Sequence, residues 1–69
     1  MKNLIKVERA RQNMTQAELA EKTNVSRQTI TSIEIGKYVP SAMLAFKIAS
    51  VLKVTADELF TLEETDWLS

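Results

Sequence analysis

Only three residues, Thr23, Asn24 and Val25, separate two short helical patterns in this chain. Each pattern is opened by its own capping residue. A break this short fixes how the two helices can pack. It calls for a small residue where they meet, an apolar plug in the turn, and inward-facing aliphatic residues on the second helix. Ala20, Val25 and the pair Ile30 and Ile33 fill those places. Thr15 and Glu18 form a capping box, each side chain satisfying a backbone N–H of the first turn. Ser26 caps the second helix, which is predicted to run to about Ile35. Gly36 then takes the position just past the end, where the backbone turns left-handed.

A turn of three or four residues between short helices is the signature of a helix-turn-helix unit, here spanning residues 15–35. Three further helices are predicted around it. The first runs from about Asn3 to Gln12, with Leu4, Val7 and Ala10 as its inward stripe and Ile5 beside them. Asn13 ends it, because asparagine tolerates the left-handed conformation, and Met14 turns inward. Ser41 caps a fourth helix whose stripe, Leu44, Ala45, Ile48, Ala49 and Leu52, is the clearest amphipathic signal in the chain. Thr55 and Glu58 form a second capping box before a short fifth helix that ends near Leu59 and Phe60. Residues 61–69 form a tail. The expected class is all-α, one domain over residues 1–69, with five helices.

Several function classes are hard to build from these residues. The chain of 69 residues has no cysteine and no histidine, which removes disulfides and the usual zinc ligands. The commonest nucleophile and general base near neutral pH go with them. A small enzyme would need a pocket and paired catalytic groups, and none is evident. No metal, cofactor or small-molecule ligand is expected. No apolar run reaches the ~20 residues that span a bilayer, and Lys6 and Glu8 interrupt any signal-peptide core. A cytoplasmic location is the expectation. A chain this small buries little core and is marginally stable alone, so pairing would help it.

Lysine and arginine balance aspartate and glutamate at nine each. Their distribution is uneven: residues 1–40 carry seven basic against four acidic side chains, and residues 41–69 two against five. Such asymmetry suits a molecule that turns one face to phosphates, although charge alone reads equally well as ordinary surface solvation. With Ile30 and Ile33 inward, Arg27, Gln28, Thr31 and Ser32 project outward or to the flank. Arginine pairs bidentately with guanine and glutamine with adenine, each worth roughly 1–3 kcal/mol of discrimination. Thr29 and Ser32 suit thymine methyls or phosphates, and Thr31 is a further backbone-contact candidate. A solvated helix surface is the plain alternative for this face. Gln16 opens the preceding helix, where free N–H groups attract anions. It reads either as a phosphate ligand or as a helix-favouring surface residue.

The run Thr15-Gln16-Ala17-Glu18-Leu19-Ala20, then Val25-Ser26-Arg27-Gln28-Thr29-Ile30, then Ile33-Glu34-Ile35-Gly36-Lys37 and Pro40-Ser41, resembles the Cro/C1/Xre family of helix-turn-helix regulators. The resemblance covers about Leu4 to Phe60, and its last elements are similar to a subgroup of short, stand-alone prokaryotic regulators. It implies a lambda-repressor-like fold and sequence-specific binding of double-stranded DNA. By the same resemblance Arg27, Gln28 and Ser32 face base edges. Gln16 grips a phosphate and braces Gln28, and Asn24, Ser26, Lys37 and Tyr38 touch the sugar-phosphate backbone. Arg9 and Glu34 form a structural ion pair. Asn13 and Asn24 stand where the family commonly has glycine, a change asparagine accommodates.

One recognition helix reads too few base pairs for selectivity, so a homodimer on a palindromic operator is expected. Phe46, Leu59, Leu62, Trp67 and Leu68 are the candidates for the dimer surface, although Trp67 serves equally well folded onto its own subunit. A repressor is the leading expectation. An antitoxin or coactivator-like interaction module on the same fold is the alternative, and it would place affinity in the acidic tail rather than in Arg27 and Gln28.

Overall fold

The computed structural model describes residues 1–69. In chain order they form β1 (Lys2–Asn3), α1 (Ile5–Arg11), α2 (Gln16–Thr23), α3 (Arg27–Glu34), α4 (Ala42–Val51), α5 (Ala56–Leu59), β2 (Phe60–Thr61) and a 3-10 turn (Glu64–Leu68). Five helices surround one apolar core of Ile5, Leu19, Ala20, Ile30, Ile33, Leu44, Ile48, Ala49, Leu52 and Leu59.

Local chemistry sets where four of the helices begin. Thr15 and Thr55 close full capping boxes with Glu18 and Glu58, and Ser26 and Ser41 each accept a hydrogen bond from a first-turn N–H. Caps of this kind contribute ~1 kcal/mol each.

The helix ends share a single plan. At the ends of α1, α2, α3 and α4, the residues Asn13, Asn24, Gly36 and Lys53 adopt φ of 52°, 59°, 80° and 61°. In each case that residue's N–H bonds a carbonyl three back and the next residue's N–H bonds one five back, as in Asn24 to Glu21 and Val25 to Ala20. This is the Schellman closure, which satisfies carbonyls that a helix end otherwise leaves open. Around Gly36 a Cβ would meet nothing within 4 Å. Its constraint is therefore the left-handed backbone and not space.

The core confirms the α4 stripe, since Leu44, Ile48, Ala49 and Leu52 are buried. It corrects the reading of α1. Leu4 and Val7 remain 48% and 47% exposed, Ala10 is exposed, and Ile5 alone of the helix is buried. A seven-residue helix lying at the edge of the core inserts one side chain, so a spacing of three marks the wrong face. The ends of the chain add an element that local periodicity does not reveal. β1 and β2 pair antiparallel, Lys2 opposite Thr61 and Asn3 opposite Phe60. The Leu4 N–H continues the pairing by donating to the Leu59 carbonyl at 2.9 Å.

Candidate nucleic-acid interface

The interface is built from α3 outward. The turn before it is held by Thr23, a buried residue whose hydroxyl donates back to the carbonyls of Leu19 (2.8 Å) and Ala20 (3.3 Å). Asn24 then reverses the chain, and Val25 packs against the core. On α3 itself Ile30 and Ile33 are buried. A helix pinned by residues three apart must present the opposite face to solvent. Gln28 is exposed on that face, Arg27 is exposed at its flank in the first turn of the helix, and Ser32 is half-buried. The first turn of α3 carries no acidic residue. The side-chain ion pairs lie elsewhere, between Arg9 and Glu34 and between Arg11 and Glu8, so the Arg27 guanidinium is uncommitted.

The flanks of α3 are polar and accessible. Ser26 Oγ accepts the Thr29 N–H at 3.1 Å and lies 2.9 Å from Thr29 Oγ1. Asn24 and Lys37 are exposed, and Tyr38 is about half exposed. The backbone N–H groups of Lys37 and Tyr38 both donate to the Ser32 carbonyl (2.9 and 3.2 Å). Only the side chains of those two residues are free for a ligand. Between α3, Tyr38 and the start of α4 lies an open groove lined by Val25, Ser26, Gln28, Thr29, Ser32, Tyr38 and Leu44.

Beneath this surface runs a connected polar network. Arg9 donates from Nε to Glu34 Oε2 (2.8 Å), from Nη2 to Glu34 Oε1 (3.2 Å) and from Nη1 to the Met14 carbonyl (2.8 Å). The Arg9–Glu34 pair is thus present and ties α1 to α3. Gln16 joins it, donating from Nε2 to Glu34 Oε1 at 3.1 Å while its Oε1 accepts from the Thr31 hydroxyl at 3.1 Å. Two expectations change here. Gln16, expected to brace Gln28, instead bonds Glu34 and Thr31. The Thr31 hydroxyl, expected to face the sugar-phosphate backbone, is directed at Gln16 and at the Arg27 carbonyl (3.1 Å). Both changes arise from Glu34, whose charge draws the Gln16 amide inward.

The apolar dimer candidates differ in exposure. Phe46, Leu62, Trp67 and Leu68 are exposed, Trp67 at 75%, so the indole does not bury itself on its own subunit. Leu59 is a correction. It is fully buried, because the end of α5 is pulled into the core by the β1–β2 pairing, and it cannot serve a dimer surface. Met43, exposed one helical turn before Phe46 on α4, is an apolar surface residue that the sequence reading misses. Its i, i+3 spacing to Phe46, off the buried stripe, is the available signal. The tail is anchored by charge: the Met1 amine lies 3.0 Å from both Glu63 Oε1 and Asp66 Oδ2. Hydrogen bonds from that amine to Glu63 and Asp66 raise its pKa above 8.0. Asp66 is held below its ordinary range, first by the Glu63 backbone N–H and then by the amine. No helix is long and apolar enough to cross a membrane.

Comparison with known proteins agrees with this geometry. A helix-turn-helix family model matches residues 5–59. An uncharacterized HTH-type transcriptional regulator of Methanocaldococcus jannaschii is 52% identical over 66 residues, covering 96% of this chain and 100% of that protein. The HTH-type regulator YgzD of Bacillus subtilis is 45% identical over 64 residues, covering 93% and 97%. Among solved structures, the clp gene regulator ClgR from Corynebacterium glutamicum superposes with a TM-score of 0.72 at 27% identity. That match covers 75% of this chain and 55% of ClgR, so the chain spans about half the length of that regulator. The chain therefore belongs to the Cro/C1-type helix-turn-helix family of transcriptional regulators and carries its DNA-binding fold.

Proposed function

We propose that this protein binds double-stranded operator DNA in the cytoplasm as a homodimer, with α3 in the major groove, and represses transcription by occupying the operator. One observation carries the reading: Ile30 and Ile33 pin α3 so that Arg27 and Gln28 stand exposed with no acidic neighbour in the first turn. An eight-residue helix is ~12 Å long at 1.5 Å per residue, and a major groove ~12 Å wide admits it. Arg27, Gln28 and Ser32 read base edges. Ser26, Asn24, Thr29, Lys37, Tyr38 and Gln16 meet the sugar-phosphate backbone and fix the register.

Pairing of two copies supplies the second half-site. Phe46, Leu62, Trp67 and Leu68 supply exposed apolar area for it, the last three within the acidic tail. Keeping the acidic tail away from phosphates leaves the basic half for DNA.

Selection of bound sequences from a random duplex pool tests the reading. A palindromic consensus with half-sites about one helical turn apart is expected. Arg27→Ala combined with Gln28→Ala should abolish the preference. Recovery of no consensus, or a double variant that still selects the same sequence, would sink it. Trp67→Ala should weaken dimerisation and operator affinity together. An unchanged sedimentation coefficient at micromolar concentration removes Trp67 from the interface.

A further inference from the structure

Thr31 lies on the flank of α3 that faces Gln16, where it invites reading as a DNA contact. Its hydroxyl carries one hydrogen and has two acceptors at 3.1 Å, the Gln16 Oε1 and the Arg27 carbonyl. Neither leaves that hydrogen free for a phosphate oxygen. A hydroxyl can donate only one bond at a time, so Thr31 could hold DNA only by releasing a partner it already has.

The same bond matters more at its other end. The Gln16 carboxamide has one acceptor end and one donor end, and both are claimed. Oε1 takes the Thr31 hydroxyl and Nε2 donates to Glu34 Oε1 at 3.1 Å. Glu34 cannot move to accommodate the amide, since its side chain is only 7% exposed and is gripped by two Arg9 nitrogens. Arg9 in turn is fixed to the Met14 carbonyl. Rotating the amide by half a turn would bring Oε1 against the Glu34 carboxylate, acceptor facing acceptor, and would leave the Thr31 hydroxyl to accept from Nε2 and donate only to the Arg27 carbonyl. The amide is therefore locked in one orientation. An –NH2 group has two hydrogens. One goes to Glu34, and the other is the donor that Gln16 keeps at the start of α2.

We propose that Thr31 is a positioning residue that acts through Gln16: with Glu34 it sets the amide so that the remaining Nε2–H meets a DNA phosphate, and it makes no DNA contact of its own. This rests on the DNA-binding function proposed for α3. It makes one residue of α3 serve the grip of α2, so that the helix that reads bases and the helix that grips phosphate are set in register by a side-chain bond as well as by the turn between them.

Affinities for the selected operator and for a panel of single-base variants of it test the assignment, using the full chain. Thr31→Val keeps the β-branched shape and removes only the hydroxyl. It should weaken binding about five-fold, the scale of one neutral hydrogen bond, and equally across the panel. Thr31→Ser should restore affinity to within about two-fold. The pair Gln16→Ala and Thr31→Val should bind no more weakly than Gln16→Ala alone, because the second change removes a bond already gone. Additive losses, an altered base preference, or a Thr31→Val protein that binds like the parent would overturn the proposal while leaving the DNA reading intact. If the parent selects no operator, the DNA reading falls and the positioning role toward phosphate falls with it. Side-chain amide NMR of the free protein then tells whether the lock itself exists: an ordered Gln16 –NH2 that loosens in Thr31→Val supports it, and an unchanged one removes it too.

Discussion

The two helices on either side of the Asn24 turn share the construction of their ends and differ in what fills them. α2 starts at Thr15, with Glu18 closing the box. It exits through Asn24 into Val25, which packs on the core. α3 starts at Ser26, but the residue in the place of Glu18 is Thr29. It exits through Gly36 into Lys37, which is exposed. The other Schellman exits are built like that of α2, while the start of α4 at Ser41, like that of α3, carries no acid. α1 exits through Asn13 into Met14 and α4 through Lys53 into Val54, and both of those apolar residues pack on the core. α5 repeats the box with Thr55 and Glu58. An acid at a helix start is worth about 0.3–1 kcal/mol, and an apolar residue after a Schellman end adds its own burial. α3 lacks both. The contrast fits the proposal that α3 faces DNA, since the two missing devices are those that would place a carboxylate toward phosphate or withdraw a cation from it.

Thr29→Glu challenges that contrast most forcefully. It rebuilds the capping box of α2 at the start of α3, so thermal stability should hold or rise by up to ~1 kcal/mol. Operator affinity should fall by roughly 2–4 kcal/mol, because a carboxylate now faces phosphates. Melting and titration of the same sample separate the two effects. Undiminished affinity would show that the first turn of α3 does not approach DNA.

The exits predict a crossed result of smaller size. Val25→Ala should cost ~1.5 kcal/mol of stability through lost packing, lowering the melting temperature by about 6–12 °C for a domain this small. Lys37→Ala should leave stability within about 0.5 kcal/mol. It should reduce the slope of log affinity against log salt by about 0.9 without changing the preferred sequence. A Lys37 variant that melts early would mean that the lysine stem packs as Val25 does.

Much of this fold is readable from the chain because caps and Schellman exits are local. Thr15 with Glu18, Thr55 with Glu58, and the left-handed Asn13, Asn24 and Gly36 each declare themselves within a few residues. The pinning of α3 comes from Ile30 and Ile33 once the turn is recognised. Three features are not readable. Lys53 adopts φ 61° although lysine carries no preference for it. Leu59 reads as surface, because only the pairing of Lys2–Asn3 with Phe60–Thr61, from opposite ends of the chain, shows that α5 ends inside. The Gln16 network needs distances between two helices and α1, and spacing along one helix cannot supply them.

Acid distinguishes the helix starts in a second way. Glu18 and Glu58 lie below their ordinary 4.5, in each case first because the backbone N–H of the capping threonine donates to the carboxylate. A carboxyl with a lowered folded value stabilises the fold above its unfolded value, and that contribution is lost as pH falls through the folded one. α2 and α5 should therefore weaken in acid, from about pH 4.5 downward, while the starts of α3 and α4, capped by serines, contribute no such dependence. Glu18→Gln with Glu58→Gln should flatten stability against pH over that range. A curve as steep as the parent's would assign the acid sensitivity to another carboxyl, with Asp66 at the Met1 amine the next to test.

The weakest of these effects concerns the exit of α4. Lys53 holds a left-handed backbone with a full side chain, where the Cβ crowds the next carbonyl at a cost of roughly 1–2 kcal/mol. Gly36 at the equivalent place in α3 avoids that cost and has no Cβ contact to gain. Lys53→Gly should therefore stabilise the protein, by less than the full relief because glycine also enlarges the freedom of the unfolded chain; a net gain of about 0.5 kcal/mol is expected. Lys53→Asn should give much of the same gain with less of that entropic loss. In the glycine variant the exits of α3 and α4 would share their left-handed residue and still differ at the next position, Lys37 in one and Val54 in the other. DNA affinity should not move in either variant, since the end of α4 is tied to the end of α1, where Gln12 donates to the Leu52 carbonyl. A destabilised Lys53→Gly would mean that the lysine stem covers apolar surface near Val54, and that the strain at this exit is offset by packing which no other exit in the molecule uses.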